Sequence, residues 1–269
     1  MSDAGFTPDQ IDTNTPHPAR MYDYYLGGMD NYEVDRRAAD ELVNHSPDVR
    51  ITARANRDFH HRAIRHLVES GVRQIIDIGT GIPTSPNTHE VAREADPDVT
   101  VIYVDNDPIV ATYAGAKLTN SGNAGFVLAD VRDPQAILRD SAVTELIDFS
   151  QPVAVLLVAV LHFVQDDEDP HGLISALTEN LVPGSPLVLT HGTHDVIGEE
   201  GLRYATDAYK KSTANLRLRN HAEISSFFEG FELVEPGVVQ LPLWRPEGTP
   251  ATEEDLKRVH GYGGVGIKR

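Results

Sequence analysis

The chain of 269 residues contains no cysteine, which excludes disulfides and thiolate metal centres and fits a reducing compartment. Cations are scarce: 23 Lys and Arg stand against 41 Asp and Glu, a formal charge of −18. Such a surface repels phosphate backbones, so nucleic acid is not the expected partner. Long apolar runs are missing too. The longest, Pro152 to Val164, is too short to span a bilayer and contains His162. Met1 to Ala19 is polar and punctuated by proline, unlike a secretory leader. The expectation is a cytoplasmic protein that handles a small molecule, with neither membrane nor nucleic acid as partner. Also lacking are a P-loop, a Gly-x-Ser-x-Gly elbow and a His-Glu-x-x-His pair. What is present in quantity is ordinary: 40% hydrophobic and 24% charged residues, enough for a sizeable core.

The most informative stretch runs from Arg73 to Gly81, where Ile75, Ile76 and Ile78 make a buried strand leading into Gly79-Thr-Gly81. The two glycines permit a sharp turn and close approach of a ligand. Asp77, two residues ahead of them, repels anions and favours a cationic or amine-bearing cofactor. Ile82-Pro83 follows Gly81, so the third glycine of a dinucleotide fingerprint is missing. Together these point to S-adenosylmethionine and away from NAD.

From residue 72 onward the pattern alternates. Strands are expected at 73–78, 99–105, 125–129, 153–159 and 186–191, with helices at about 86–95, 108–119, 134–140 and 171–182. Asp107-Pro108 and Asp133-Pro134 read as N-cap and first-turn pairs, and Asn87 to Glu90 as a capping box alongside Ser85-Pro86 as another start. A helical stretch at about 198–229 precedes late strands at 231–239 and 261–268, the last expected to pair as a hairpin. Such alternation predicts an α/β fold with a doubly wound, mostly parallel sheet whose ligand crevice lies beyond the strands' carboxyl ends. Before it, residues 1–15 read as a loose tail. Three helices, from Pro18 to the Leu26-Gly-Gly-Met29 break, over 33–44, and up to Gly71, read as a cap over the site. The expected division is 1–71 for tail and helical cap and 72–269 for the cofactor-binding unit, within one structural whole. The arginines at 20, 36, 37, 50, 54, 57, 62 and 65 read as solvated helix faces.

Asp77, Asp105 and Asp130 end three successive expected strands and therefore line one rim. Asp105 is placed to accept both hydroxyls of a ribose, with Asn106 beside it. Asp130 is placed to accept from the adenine amino group while the Val131 N–H donates to the ring. Asp77 is placed to hold the methionine ammonium, with Gly79 and Gly81 leaving room.

Asp77-Ile-Gly-Thr-Gly81, Val104-Asp105 and Ala129-Asp130-Val131 resemble the first three motifs of class I S-adenosylmethionine-dependent methyltransferases. Val153 to Val164 resembles their fourth strand and loop, and Leu181 to Leu189 their turn into the fifth. More narrowly, Pro18 to Gly28 with Asn31, Arg50, Arg54, Asn56 and Phe59 resembles an actinobacterial methyltransferase-like family of unassigned substrate, from about Asp12 to the C-terminus. The resemblance implies a seven-stranded Rossmann-like sheet and S-adenosylmethionine as cofactor, leaving S-adenosylhomocysteine as product. The Asn/Asp-Pro-Pro-Tyr tetrapeptide of enzymes acting on DNA bases is replaced by Ala159-Val-Leu-His162, as in small-molecule enzymes.

For the acceptor side, His162 is the first candidate base and Tyr25 the second, while Tyr22 and Asn31 flank the Gly27-Gly28 break as possible cofactor clamps. His191-x-x-His194 lacks an evident third ligand, so no metal is expected. Trp244-Arg245 reads as surface packing. Two other readings stay open: a non-catalytic cofactor-binding regulator, and an NAD-dependent oxidoreductase, which Asp77 and the missing glycine disfavour.

Overall fold

The structure, a computed structural model, describes residues 12–117 and 122–269. The loose tail expected over 1–15 lies, through residue 11, outside the described residues, as does the end of the helix expected over 108–119.

Five runs rich in Val, Ile and Leu form the parallel strands β1 (Gln74–Ile78), β2 (Thr100–Asp105), β3 (Ala124–Leu128), β4 (Ala154–Val158) and β5 (Pro186–Gly192). Near-continuous hydrophobicity suits strands covered on both faces. Ile76, Ile78, Ile102 and Val104 pack into one core, and Ile75, Val101, Phe59 and Leu67 into the core on the opposite face. The sheet is completed by β6 (Phe231–Leu233), β7 (Val239–Gln240) and β8 (Gly261–Lys268). Its order is β3-β2-β1-β4-β5-β8-β6, with β7 also on β8, and β8 runs antiparallel to its neighbours. The mostly parallel Rossmann-like sheet is as expected, with eight strands among the described residues instead of seven. The run expected as one strand over 231–239 is interrupted, because Gly237 at φ 87° turns the chain between β6 and β7. A short helix, Glu253–Lys257, separates β7 from β8, so the last strand is inserted into the sheet without a tight hairpin.

The three N-terminal helices are α1 (Pro18–Leu26), α2 (Glu33–His45) and α3 (Val49–Glu69). Pro18 opens α1 at a first-turn position and Gly27, at φ 85°, closes it in the left-handed conformation. Next come α4 (Thr88–Ala95), α5 (Pro108–Lys117), α6 (Pro134–Arg139) and α7 (Ser141–Leu146), then α8 (Pro170–Thr178), α9 (Gly198–Tyr209) and α10 (His221–Ser226). Asn87 and Glu90 form the capping box of α4, and Asp133 caps α6. The helix expected over 134–140 ends at Asp140, whose extended backbone and side-chain bond to the Ala142 N–H start α7 instead. Likewise the stretch 198–229 is two helices, parted where Arg219 bridges to Thr193 and Asn220 caps α10. Trp244, expected at the surface, is fully buried edge-on to Phe59 beneath α3. Helices α1, α2, α3 and α9 share a third apolar cluster, built from Met21, Tyr25, Leu42, Ala205 and Tyr209 among others. Among the described residues no helix is long and apolar enough to cross a membrane.

Candidate functional site

The carboxyl ends of β1 to β5 open into a cavity of about 730 Å³, within the range of roughly 300–1,000 Å³ usual for ligand sites. Asp77, Gly79, Gly81, Asp105, Asn106, Asp130, Val131, Tyr22, Tyr25 and His162 all line it. Asn31 does not: its amide donates to Asp23 and Gly28, and its oxygen accepts from Arg36, fastening the α1–α2 turn.

The glycine turn is shaped for close approach. Gly79 sits at φ 73° and its N–H donates to the Val104 carbonyl at 2.7 Å. A Cβ there would stand 2.2 Å from Val160 Cγ2, so no other residue fits without movement. Gly81, at φ 69°, donates its N–H to Asp105 Oδ2 at 2.8 Å. Ile82 then drops into a pocket with Ile109 and Val110, and α4 begins only at Thr88. The third glycine of a dinucleotide turn allows a helix to follow tightly on its strand. Here the intervening loop removes that need, and it also removes the helix N-terminus from the place where a pyrophosphate would rest.

The rim carboxylates differ in their circumstances. Asp77 is buried, and burial pushes its carboxyl up to about 6, against the pull of the Thr88 hydroxyl and Arg57. His60 lies 3.9 Å from it, yet burial first and Arg57 second keep that imidazole neutral, so no ion pair forms. Asp105 is likewise pushed up to about 6 by burial, although the Asp107 and Gly81 N–H groups oppose this. Both carboxylates thus carry charge into a poorly solvated rim, and among the described residues neither pairs directly with a Lys or Arg, a circumstance that suits a cationic, hydroxyl-rich ligand. Asp130 is half-exposed. Burial works to raise it, but the Arg132 N–H, the Asn106 amide and the Arg132 guanidinium hold it low. Val131, just past it, is buried in the lining.

The segment ahead of α1 closes over this rim. Arg20, which the sequence suggested was solvated, is 2% exposed; it pairs with Asp35 and Asp107 and donates to the carbonyls of Asp12 and Thr15. Arg57 donates to the Thr84 and Pro86 carbonyls, pinning the loop after Gly81 to α3.

Beyond β4 the backbone is strained and strongly held. Ala159 adopts φ 59°, a left-handed conformation, and its N–H donates to Thr190 Oγ1. Thr190 donates to Asn56, whose amide donates to the Tyr22 hydroxyl, which donates to the Ala53 carbonyl. This chain of bonds ties the β4 and β5 ends to α1 and α3. Arg219, 2% exposed, donates to the Leu161 and Val164 carbonyls, to His191 Nε2 and to Asp166. His191 gives its other nitrogen to the Gly192 carbonyl, and His194 faces Asp195 and Glu223. Both nitrogens of His191 are thereby engaged within the fold. His162 accepts the Gly192 N–H at Nδ1, and burial followed by the Arg219 charge lowers its pKa to about 3. A neutral imidazole whose Nδ1 accepts carries its proton on Nε2, so in this arrangement His162 presents an N–H donor. Tyr25 is buried, and burial raises its hydroxyl well above the usual value.

Thr88, Arg57, Asn56, Thr190 and Arg219 escaped the sequence reading as site residues. Asn56 and His60 share a helical face with Phe59, a polar pair on a core-facing stripe that could have marked them. Arg219 gives no such signal, since its partners, the Leu161 and Val164 carbonyls, His191 and Asp166, all lie far away in sequence.

The model of the S-adenosyl methyltransferase family matches residues 4–269. A DUF574 family protein from Streptomyces avermitilis is 43% identical with a TM-score of 0.92, the match covering 96% of this chain and 100% of that one. A candidate methyltransferase from Thermobifida fusca is 38% identical with a TM-score of 0.90, covering 97% and 98%. The fold extends to an S-adenosylmethionine-dependent methyltransferase from Anabaena variabilis, 15% identical with a TM-score of 0.53 over 97% and 98% of the two chains. None of the curated proteins matches this chain.

Proposed function

We propose, from the premise that this chain belongs to the S-adenosyl methyltransferase family, that it transfers the methyl group of S-adenosylmethionine to a small-molecule acceptor. The observation that carries the reading is the gathering of Asp77, Asp105 and Asp130 with the Gly79–Gly81 cradle around one cavity. In this reading Asp105 accepts the ribose hydroxyls with the lone pairs that the Gly81 and Asp107 N–H groups leave free. Asp77 faces the ammonium. Asp130 and Val131 receive the adenine, with Asn106, which bridges to Asp130, as the group that gives way.

Bound there, S-adenosylmethionine supplies an electrophilic methyl, whose C–S bonding electrons stay on sulfur while the acceptor lone pair forms the new bond. The chain's own part is to bind, align and exclude water, and alignment of this kind supplies about 7–11 kcal/mol of barrier reduction. The strained Ala159 turn and the Thr190–Asn56–Tyr22 chain hold the wall against which the acceptor lies. His162, as an N–H donor, orients an acceptor atom. With His162 neutral and the Tyr22, Tyr25 and Tyr209 hydroxyls held protonated by burial, a neutral nitrogen, which attacks before any proton leaves, is favoured over a hydroxyl.

The test uses methyl-labelled S-adenosylmethionine and an extract of Streptomyces avermitilis, source of one relative, separated by ultrafiltration after reaction. Label in the low-molecular-weight fraction supports the reading. Label confined to protein or nucleic acid overturns the small-molecule acceptor, and no transfer beside intact cofactor binding favours a non-catalytic binding module.

A further inference from the structure

The ligand proposed for this cavity is a zwitterion as well as a sulfonium. Its methionine end carries an α-ammonium and an α-carboxylate on one carbon, and Asp77 answers only the first. A carboxylate placed elsewhere along the rim would face Asp105, Asp107, Asp130 or Glu168. It needs a cation from the lining.

Among the described residues three arginines line the cavity. Arg20 pairs with Asp35 and Asp107, and Arg132 with Asp130 and Glu168. Arg57, on α3, pairs with no carboxylate among the described residues. Its Nη2 donates to the Thr84 and Pro86 carbonyls, and its Nη1 stands 3.5 Å from His60 Nδ1. A guanidinium has five N–H donors and keeps its charge in proteins. The Nε donor and the second donor on Nη1 therefore have no partner among the described residues.

The position is right as well. Burial is the main influence on the Asp77 carboxyl, the His60 imidazole and the Tyr22 hydroxyl, and the Arg57 charge acts on all three. All three line the cavity, so the guanidinium stands among them at the Asp77 end of the rim. One loop fixes both charges. Arg57 holds its Thr84 and Pro86 carbonyls, and Thr88, at its end, donates its hydroxyl to Asp77. A carboxylate and a guanidinium held by one short loop form a preorganised receptor for the two charges of an α-amino acid.

We infer that Arg57 binds the cofactor's α-carboxylate through the donors it has left, beside Asp77 on the α-ammonium. The inference rests on the methyltransferase reading above and deepens it by assigning the amino-acid end of the cofactor to a residue outside the strand-end motifs.

The experiment compares two ligands by calorimetry at about pH 7.5: S-adenosylhomocysteine, and its decarboxylated analogue, which keeps the amine and lacks only the carboxylate. The wild-type chain should prefer S-adenosylhomocysteine by at least about tenfold. In Arg57→Gln the preference should shrink to within about twofold, with the analogue bound as tightly as before or more so. Arg57→Met is measured in parallel, so that the outcome does not hang on the folding of one variant. A wild-type chain that binds the two ligands alike overturns the inference. So does a variant that loses both in equal proportion with the preference intact, since Arg57 would then serve the loop alone; either result leaves the cofactor assignment standing. Failure of the wild-type chain to bind S-adenosylhomocysteine removes the methyltransferase reading itself, and this role with it.

Discussion

The two walls of one cavity are made by opposite rules. The sheet rim places ionisable groups where water is scarce: Asp77 and Asp105 are both pushed up to about 6 by burial. Apart from Arg57, the helical wall satisfies its charges internally and shows the cavity mostly aliphatic side chains and tyrosine. A rim of this kind is costly while empty and is compensated by a ligand of complementary charge. An apolar wall costs little when empty and selects by shape and by the absence of charge. In the proposed reading, the contrast means that the cofactor is held by few strong electrostatic contacts while the helical wall offers an acceptor many weak ones.

The contrast can be tested at single residues, and the largest effect belongs to the rim. In the proposed site Asp105→Ala removes a charged acceptor for two ribose hydroxyls, each bond worth about 1.5–3 kcal/mol, so S-adenosylhomocysteine affinity should fall roughly a hundredfold or more by calorimetry. Unchanged affinity would remove Asp105 from the cofactor site.

Next in size is the glycine turn. Gly79→Ala combines a positive φ with a Cβ 2.2 Å from Val160 Cγ2, and should cost about 3 kcal/mol in urea denaturation. Gly81→Ala meets only Ala19 Cβ at 4.0 Å, so it should lose only the conformational strain of about 1–2 kcal/mol. Adding Val160→Ala should return part of the loss at 79 and none at 81.

Asp77→Asn separates stability from binding. Burial raises this carboxyl from 3.8 to about 6 in the fold, so between those values the folded chain holds a proton that the unfolded chain has released. The resulting penalty is absent below the lower value, grows as pH rises, and is complete above the upper one. Asparagine can still accept from Thr88 and avoids that penalty. The variant should therefore be more stable than wild type by on the order of 3 kcal/mol near neutral pH, with the gap closing toward about pH 4. It should also bind the cofactor more weakly. A less stable variant at neutral pH would contradict the account of the rim.

The smallest effect on binding is expected at Asn31, which fastens the α1–α2 turn outside the cavity. Asn31→Ala should lower stability by about 1–3 kcal/mol and leave S-adenosylhomocysteine affinity within about twofold.

The rim was legible in the sequence because its residues announce themselves locally: a carboxylate at a strand end, a glycine pair, a proline after an N-cap aspartate. The five parallel strands appear within a residue or so of their expected bounds for the same reason, since buried Val and Ile runs have few alternatives. The helical wall was legible only as helices. Nothing local shows that Tyr22 joins Asn56 and Thr190, or that Arg219 holds the carbonyls after β4, because those partners meet only after the sheet has formed. Trp244 misled for a related reason: flanked by proline and charged residues it looks like a surface tryptophan, while the β7–β8 connection folds it beneath α3. His162 was found in its place in the cavity wall, but its bond with the Gly192 N–H has no local sequence signal.

The most direct test is a calorimetric titration of the wild-type chain with S-adenosylhomocysteine. Saturable binding of one molecule per chain, weakening as the pH is lowered through about 6 where Asp77 and Asp105 take up protons, is the predicted result. Absence of binding up to millimolar ligand would contradict the claim that these buried carboxylates exist to hold an adenosyl cofactor.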